Sequence, residues 1–318
     1  MPRFEPRTIH FVLLGDEKTA SSRIRGLHLI SELRQRGHHV TSGSLWATER
    51  SPWVYGIGEC PEILVLQKVF PPTAIINLFR RRASLLVLEI DDAVHLGYPN
   101  MSTRLATVLG HRVRHLASMS DVLTTPSPLL ASEIALERRS LVFPGPAPKY
   151  RGSTAVGGLI WLGSPSTEPN LELLRGCGEM ISGWRGGARA VGGGKLSENL
   201  GLTPVEWSPS AESEVLAMST VGLMPLIRSE WNDRKASYKV LEYLAAGVAP
   251  IASASPALDA LGSIAKFVYS VSEEKEWPRA LEKHNFSEVD LDWRKVQVAL
   301  DELSVARYAD AWEETVLG

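Results

Sequence analysis

From Thr8 to Ser270 the chain alternates short, continuous apolar runs with longer amphipathic stretches. This alternation constrains the fold more than any other feature. Strands that are apolar throughout must be covered on both faces, and intervening helices supply the cover, which predicts parallel sheets in an α/β protein. "TIHFVLLG" reads as the first strand. "SRIRGLHLISELRQRG" reads as the helix after it, with Ile24, Leu27, Ile30 and Leu33 at helical spacing and Gly37 as the stop. "EILVLQ" and "SLLVLEIDD" are the next strands, with the helix "TAIINLFRRR" between them. "TRLATVLGHRVRHLASM" then predicts a helix, "DVLTTP" a strand and "PLLASEIALER" a helix.

The alternation stops at residues 144–158, "PGPAPKYRGSTAVGG", where three prolines and four glycines carry no apolar periodicity. That composition marks a linker. Beyond it the pattern restarts with the strand "LIWLGS" and the helix "EPNLELLRGCGEMI". It continues through the strand "ARAVGGG", the helix "SAESEVLAMS", the strand "TVGLMPL", the helix "KASYKVLEYLAAG" and the strands "VAPIAS" and "KFVYS". Residues 292–317 are mostly helical in pattern. The expectation is two α/β domains, 1–150 and 151–318, each with its own parallel sheet, the final helix packing back on the first domain.

Bulk properties narrow the function classes. A net charge of −2 over 318 residues gives no global field for nucleic acid. Two cysteines, Cys60 and Cys177, are too few for a disulfide framework and are not spaced as metal ligands; they read as reduced, buried thiols. The first apolar run is too short for a signal-peptide core or a membrane span. The chain reads as cytoplasmic. The run Arg80–Arg82 is either a solvated helix end or a peripheral contact with the inner face of an anionic membrane.

Open parallel sheets bind ligands beyond the carboxyl ends of their strands. Polar residues after strand ends are therefore the first candidates. In "WNDRKASYKVLEYLAAGVAPIAS", Lys235 and Lys239 lie four residues apart near the expected start of a helix, with Glu242 three residues on. Lysines there oppose the helix dipole unless an anion such as phosphate sits at the helix N-terminus. A carboxylate at Glu242 suits a pair of ribose hydroxyls. The competing reading is a solvated face with a Lys239–Glu242 pair. Gly163 and Ser164 end a strand just before a helix, a phosphate-cradle pattern that also serves as an ordinary turn. "VGGGK" lets backbone approach a ligand closely, with Lys195 following, or is a flexible turn. "LVLEIDDAVH" ends a buried strand with Glu89, Asp91 and Asp92, and His95 follows; this suits a base or a hydroxyl binder, or a helix cap by Asp92. Gly15 closes the first strand and Arg23 and Arg25 open the first helix, where Arg23 meets an anion or only solvent.

The segment from Lys235 to Ser253 resembles the nucleotide-binding segment of GT-B glycosyltransferases, specifically glycosyltransferase family 4 (group 1): a Lys, a small polar residue and Tyr238, a second Lys, then Glu-Tyr, small residues, Gly and a buried strand ending in Ser. Five segments between residues 8 and 255 follow that family's order. The resemblance implies two Rossmann-like domains facing a central cleft. It implies transfer of a sugar from a nucleotide-diphosphate sugar to an acceptor hydroxyl, retaining and without metal or other cofactor. It places Glu242 on the ribose and Lys235, with Lys239 second, on the diphosphate. Gly163, Ser164, Lys195 and Tyr238 complete the donor side. Gly15, Arg23, Asp91 and Asp92 line the acceptor side. Lys235, Asp92 and His95 are the candidates for chemistry. The acceptor is a glycan, a lipid-linked molecule or a small molecule, and no nucleic acid is expected. Many members carry a glutamate on the donor sugar seven intervening residues before Glu242; here Arg234 stands there. The alternatives are a non-catalytic GT-B protein that binds a nucleotide sugar or a partner, and a sugar-nucleotide epimerase. A Rossmann dehydrogenase is disfavoured, because no G-x-G-x-x-G follows the first strand.

Overall fold

The computed structural model describes residues 4–44, 61–135, 137–286 and 290–318. Cys60 lies outside them. The chain forms two compact units, one comprising Met1–Pro146, Arg234–Ala236 and Leu303–Gly318, the other Ala147–Asp233 and Ser237–Glu302.

The first unit holds β1 (Thr8–Leu13), β2 (His39–Ser44), β3 (Ile63–Gln67), β4 (Leu85–Glu89), β5 (Val122–Thr125) and β6 (Arg139–Val142). They pair in the order β2-β1-β3-β4-β5-β6, and every pairing is parallel. The central β3 is buried at all five positions, as a strand covered on both faces must be. Each such Val, Leu or Ile contributes about 1.5–3 kcal/mol by leaving water. The last helix, Val305–Leu317, completes this core. It buries Tyr308, Trp312 and Val316, with Trp312 stacked 6.3 Å from Phe11 and Tyr308 5.0 Å from Phe143. Arg36 holds the same helix through Asp310 at 2.7 Å and Glu313 at 2.6 Å.

The second unit holds β7 (Leu159–Leu162), β8 (Ala188–Val191), β9 (Thr203–Val205), β10 (Val221–Met224), β11 (Ala249–Ser253) and β12 (Tyr269–Val271). Their order is β12-β11-β10-β7-β8-β9, again parallel throughout. Counted within the unit this is 3-2-1-4-5-6, the dinucleotide-binding order, with its switch point between β7 and β10. The first unit has the flavodoxin-like order instead, with its switch point between β1 and β3. Trp161, Trp184 and Trp277 fill the second core, together with the buried Cys177, whose thiol burial pushes up to about 11.

Several elements differ from expectation. Three edge strands, β2, β6 and β9, carry no continuous apolar run and escape a reading based on such runs. The first helix opens as a π-helical turn, Ser22–Leu27, before the α-helix His28–Gln35. Residues Glu168–Cys177 form 3-10 turns, and a short α-helix, Gly178–Ser182, follows; Pro169, Gly176 and Gly178 disfavour a single long helix. The helix expected to start near Lys235 begins at Tyr238 and runs to Ala245. Lys235 thus precedes it and shares no helical face with Lys239.

Candidate functional site

The carboxyl ends of β7 and β10 mark the second unit's switch point. Tyr243, on the helix Tyr238–Ala245, spans them: its hydroxyl accepts from the Leu162 N–H at 2.9 Å and donates to the Leu223 carbonyl at 2.9 Å. Burial raises this phenol above the tyrosine range. The ring lies flat on Gly222, where a Cβ would stand 2.5 Å from ring carbon Cγ, so glycine is required there. The tyrosine of the Glu-Tyr pair is therefore a clamp across the strands.

Beside it, a Cβ on Gly163 would come within 1.9 Å of the Trp161 indole. The Lys239 ammonium lies 5.2 Å from the centroid of a Trp161 ring, a cation–π distance. Glu242 follows Lys239 by three residues in the same helix and is half-buried. Lys239, Tyr238 and Glu242 thus share one short helix beside the switch point.

The loop after β7 is wired to itself. The Ser164 N–H donates to Thr167 Oγ1 at 2.9 Å, and the Ser164 carbonyl accepts from the N–H groups of Thr167 at 2.9 Å and Glu168 at 3.0 Å. The Glu168 carboxylate accepts from the N–H groups of Gly194 at 2.6 Å and Ser197 at 2.9 Å. Burial opposes its charge, but those backbone donors hold it below the usual carboxylate range. The amides of the glycine-rich turn thus already carry an internal anion, and exposed Lys195 starts the five-residue helix behind it. Buried Asn170 pins the loop after β10, accepting from the Ile227 N–H at 3.0 Å and from Asn232 Nδ2 at 3.1 Å.

The first unit builds an ionic cluster at the ends of β3 and β4. Lys68 directly follows β3 with φ +56°, an uncommon conformation for a residue with a side chain, and is 6% exposed. Its ammonium meets Asp91 Oδ1 at 2.9 Å, Ser21 Oγ at 3.2 Å and the Asp92 carboxylate. One hydroxyl and two carboxylates thus surround the ammonium. Burial opposes its charge, but Asp91 and Asp92 raise it above the lysine range. Burial likewise works against the Asp91 carboxylate, yet Lys68 and Ser21 hold it below the usual range. Asp92 is thus engaged by Lys68 and does not cap the following 3-10 turn, Val94–Leu96, with its side chain. Half-buried Lys235 belongs to this unit, and no hydrogen bond or ion pair holds its Nζ among the described residues. Burial lowers its ammonium; Asp92 opposes this and Lys68 adds to it.

Around this cluster the polar groups are committed. The Gly15 N–H donates to Ser22 Oγ at 3.0 Å, and that hydroxyl donates to Gln67 Oε1 at 2.9 Å. Arg23 Nη1 donates to the Glu17 carbonyl at 3.0 Å. Arg25 pairs with Glu89 at 2.7 Å, both side chains almost fully buried, and Tyr308 donates to the same carboxylate at 3.1 Å. Glu89 is therefore structural. His95 Nε2 lies 3.1 Å from Glu133 Oε2, and Arg234 Nε donates to the same oxygen at 2.7 Å. Burial lowers the His95 imidazolium, against the pull of Glu133.

The structure thus gathers Asp91, Asp92 and Lys235 in one cluster of the first unit. It sets His95 with Arg234 through Glu133, and it places Gly163, Tyr238, Lys239 and Glu242 in the second. Sequence reading missed Lys68, Trp161, Tyr243 and the capping role of Glu168. A lysine directly after the apolar run "ILVLQ" was the available signal for Lys68.

No protein-family model and no curated protein matches the chain. Solved structures do. HepE of Anabaena in complex with UDP and glucose superposes with a TM-score of 0.65 at 10% identity, covering 98% of this chain and 99% of that one. An alpha-glucosyltransferase in complex with UDP and a 13-mer DNA containing a HMU base gives 0.63 at 11% identity, over 98% and 100%. AviGT4, a glycosyltransferase involved in Avilamycin A biosynthesis, gives 0.61 at 12%, over 98% and 97%. Likeness over whole chains, with two parallel six-stranded sheets, shows that this chain has the fold of the GT-B glycosyltransferases: two Rossmann-like domains.

Proposed function

We propose that the chain is a glycosyltransferase that moves a sugar from a nucleotide-diphosphate sugar to an acceptor hydroxyl, with retention and without a bound metal. The observation that carries this reading is the second unit's switch point. There the helix Tyr238–Ala245 sets Lys239 over Trp161 and Glu242 one turn on, beside strand ends held by Tyr243. Open sheets of this order take nucleotides at that place. Glu242 accepts from the ribose hydroxyls, Gly163 and Ser164 leave room for phosphate, and Lys239 offsets its charge. Lys235, half-buried in the first unit and without an acceptor of its own among the described residues, is that unit's candidate cation for a phosphate. Charge placed in advance where negative charge develops is the main lever of such catalysis. Asp91, held ionised by Lys68, and Asp92 beside it accept hydrogen bonds from the acceptor's hydroxyls. Sharing this fold with an alpha-glucosyltransferase and with the glycosyltransferase AviGT4 supports the reaction class.

A second reading is a GT-B protein that binds without turnover. It draws on Glu168, which occupies the glycine-rich amides that would otherwise meet phosphate.

Thermal shift over a panel of nucleoside diphosphates tests the donor site. A ligand at a hundred times its Kd stabilises by about 2.7 kcal/mol. Glu242→Ala is expected to weaken the best nucleotide roughly tenfold or more, as loss of a charged hydrogen-bond acceptor does. Absence of any stabilisation sinks the donor site; stabilisation without donor consumption over a nucleotide-sugar panel favours the second reading.

A further inference from the structure

Two neighbouring helices of the first unit, Thr73–Arg82 and Thr103–Met119, carry no acidic residue at all. Between them they hold Arg80, Arg81, Arg82, Arg104, Arg112 and Arg114, with His111 and His115. They lie side by side, joined by His115 Nε2 and Asn77 Oδ1 at 3.2 Å. The longer helix buries Gly110, Val113, Leu116 and Ala117 toward the sheet. Its other face should be uniformly polar if it met only water. Instead Leu105 is 59% exposed and Val108 43%, and on the same unit Leu96 is 40% and Leu78 37%. On a helical projection Leu105, Val108 and Arg112 follow one another at three and four residues and fall in the same arc as Arg104 and His111. Arg81, Arg104 and Arg112 have no acidic partner among the described residues. At 1.5 Å per residue the longer helix runs for roughly 25 Å.

We propose that this face docks on an anionic lipid bilayer, lying in the headgroup region and not crossing it. Among the described residues no helix is long and apolar enough to cross a membrane. The charge argument selects an anionic surface, because unpaired arginines gain from lipid phosphates within a Debye length. The apolar argument selects lipid over nucleic acid. Exposed leucines interleaved with cations enter the acyl boundary, as in interfacial helices, whereas they have nothing to meet on a phosphate backbone. Neither argument depends on the glycosyl-transfer reading.

The test is co-sedimentation of the full chain with phosphatidylcholine vesicles, with and without one part in three phosphatidylglycerol. Binding is expected only to the anionic vesicles and falls as salt is raised. Replacing Arg81, Arg104 and Arg112 together with alanine lowers the partition coefficient on the order of a hundredfold, from about fivefold for each arginine. Leu105→Glu with Val108→Glu abolishes it at unchanged net arginine content, while the thermal midpoint stays near that of the parent because both sites face water. Equal binding to both vesicle types, no loss in the Leu105/Val108 variant, or binding to a DNA duplex without binding to vesicles each overturns the proposal.

Discussion

The two switch points make an instructive pair. Both lie where the direction of strand order reverses in a parallel six-stranded sheet, yet they are finished in opposite ways. Beside the first lies an ionic cluster: Lys68, just past β3, meets Ser21, Asp91 and Asp92, and Arg25 and Glu89 lie buried nearby. The second is closed by neutral groups, with the Tyr243 hydroxyl bridging Leu162 and Leu223 and the Trp161 indole lying against Gly163. One topology rule thus yields two chemistries, because the rule sets where side chains emerge and not which ones they are. On the proposed reading, the charged end suits hydroxyls that satisfy carboxylates, and the neutral end, with a cation over an aromatic ring, suits a planar base and its phosphates.

Breaking the ionic side has the larger effect. Arg25→Ala leaves the Glu89 carboxylate buried without its counter-charge and is expected to cost about 4 kcal/mol in denaturant unfolding. Arg25→Met with Glu89→Leu recovers much of that loss. Lys68→Met is next, at about 3 kcal/mol near neutral pH, because Asp91 and Asp92 then lose the ammonium that contacts both of them. It also reverses a pH slope. The folded-state pKa of Asp91 is depressed, so its contribution is present above the ordinary carboxylate pKa. In the parent that stability is lost as pH falls below about 4. In Lys68→Met the buried Asp91 carboxylate loses that ammonium and its protonation stabilises, so unfolding free energy rises as pH falls from neutral. A parent-like slope in the variant would show that Lys68 does not control the pair.

Tyr243→Phe tests the neutral side. It strips partners from the Leu162 N–H and the Leu223 carbonyl and is expected to cost about 2 kcal/mol. It also weakens nucleotide binding, because both strand ends lose their tie. The smallest effect belongs to Glu168→Ala, about 1 kcal/mol, the scale of a lost helix cap. Its sharper readout is a ligand: inorganic phosphate should raise the thermal midpoint of the variant and leave the parent unmoved, since only the variant has free amides at Gly194 and Ser197. Equal response in both proteins would mean that Glu168 does not occupy an anion site.

How far the sequence carried the reading follows the same physics. Central strands declared themselves because burial on both faces demands unbroken apolar runs, as in "ILVLQ" and "LIWL". The edge strands His39–Ser44, Arg139–Val142 and Thr203–Val205 bury less and carry no such run. The helix start was misplaced by three residues because "DRKAS" holds no apolar position to fix a period. Lys239 and Glu242 stood out because spacing along one segment set them together, and Gly163 because it closes a strand. Lys68 did not, since its partners Ser21, Asp91 and Asp92 come from distant parts of the chain. Glu168 looked like a loop acid for the same reason: the amides it caps lie more than twenty residues on.

The helix Val305–Leu317 sets an order of events during synthesis. Tyr308, Trp312 and Val316 belong to the core around β1, a strand that leaves the ribosome long before them. The first sheet therefore waits, with Phe11 and Phe143 uncovered, until the far end of the chain arrives, while every residue of the second unit is already available. The half that is made first is finished last. A ribosome stalled after residue 302 would display an open apolar floor to the cell's chaperones, and a frameshift beyond that point would harm a unit encoded far upstream of it.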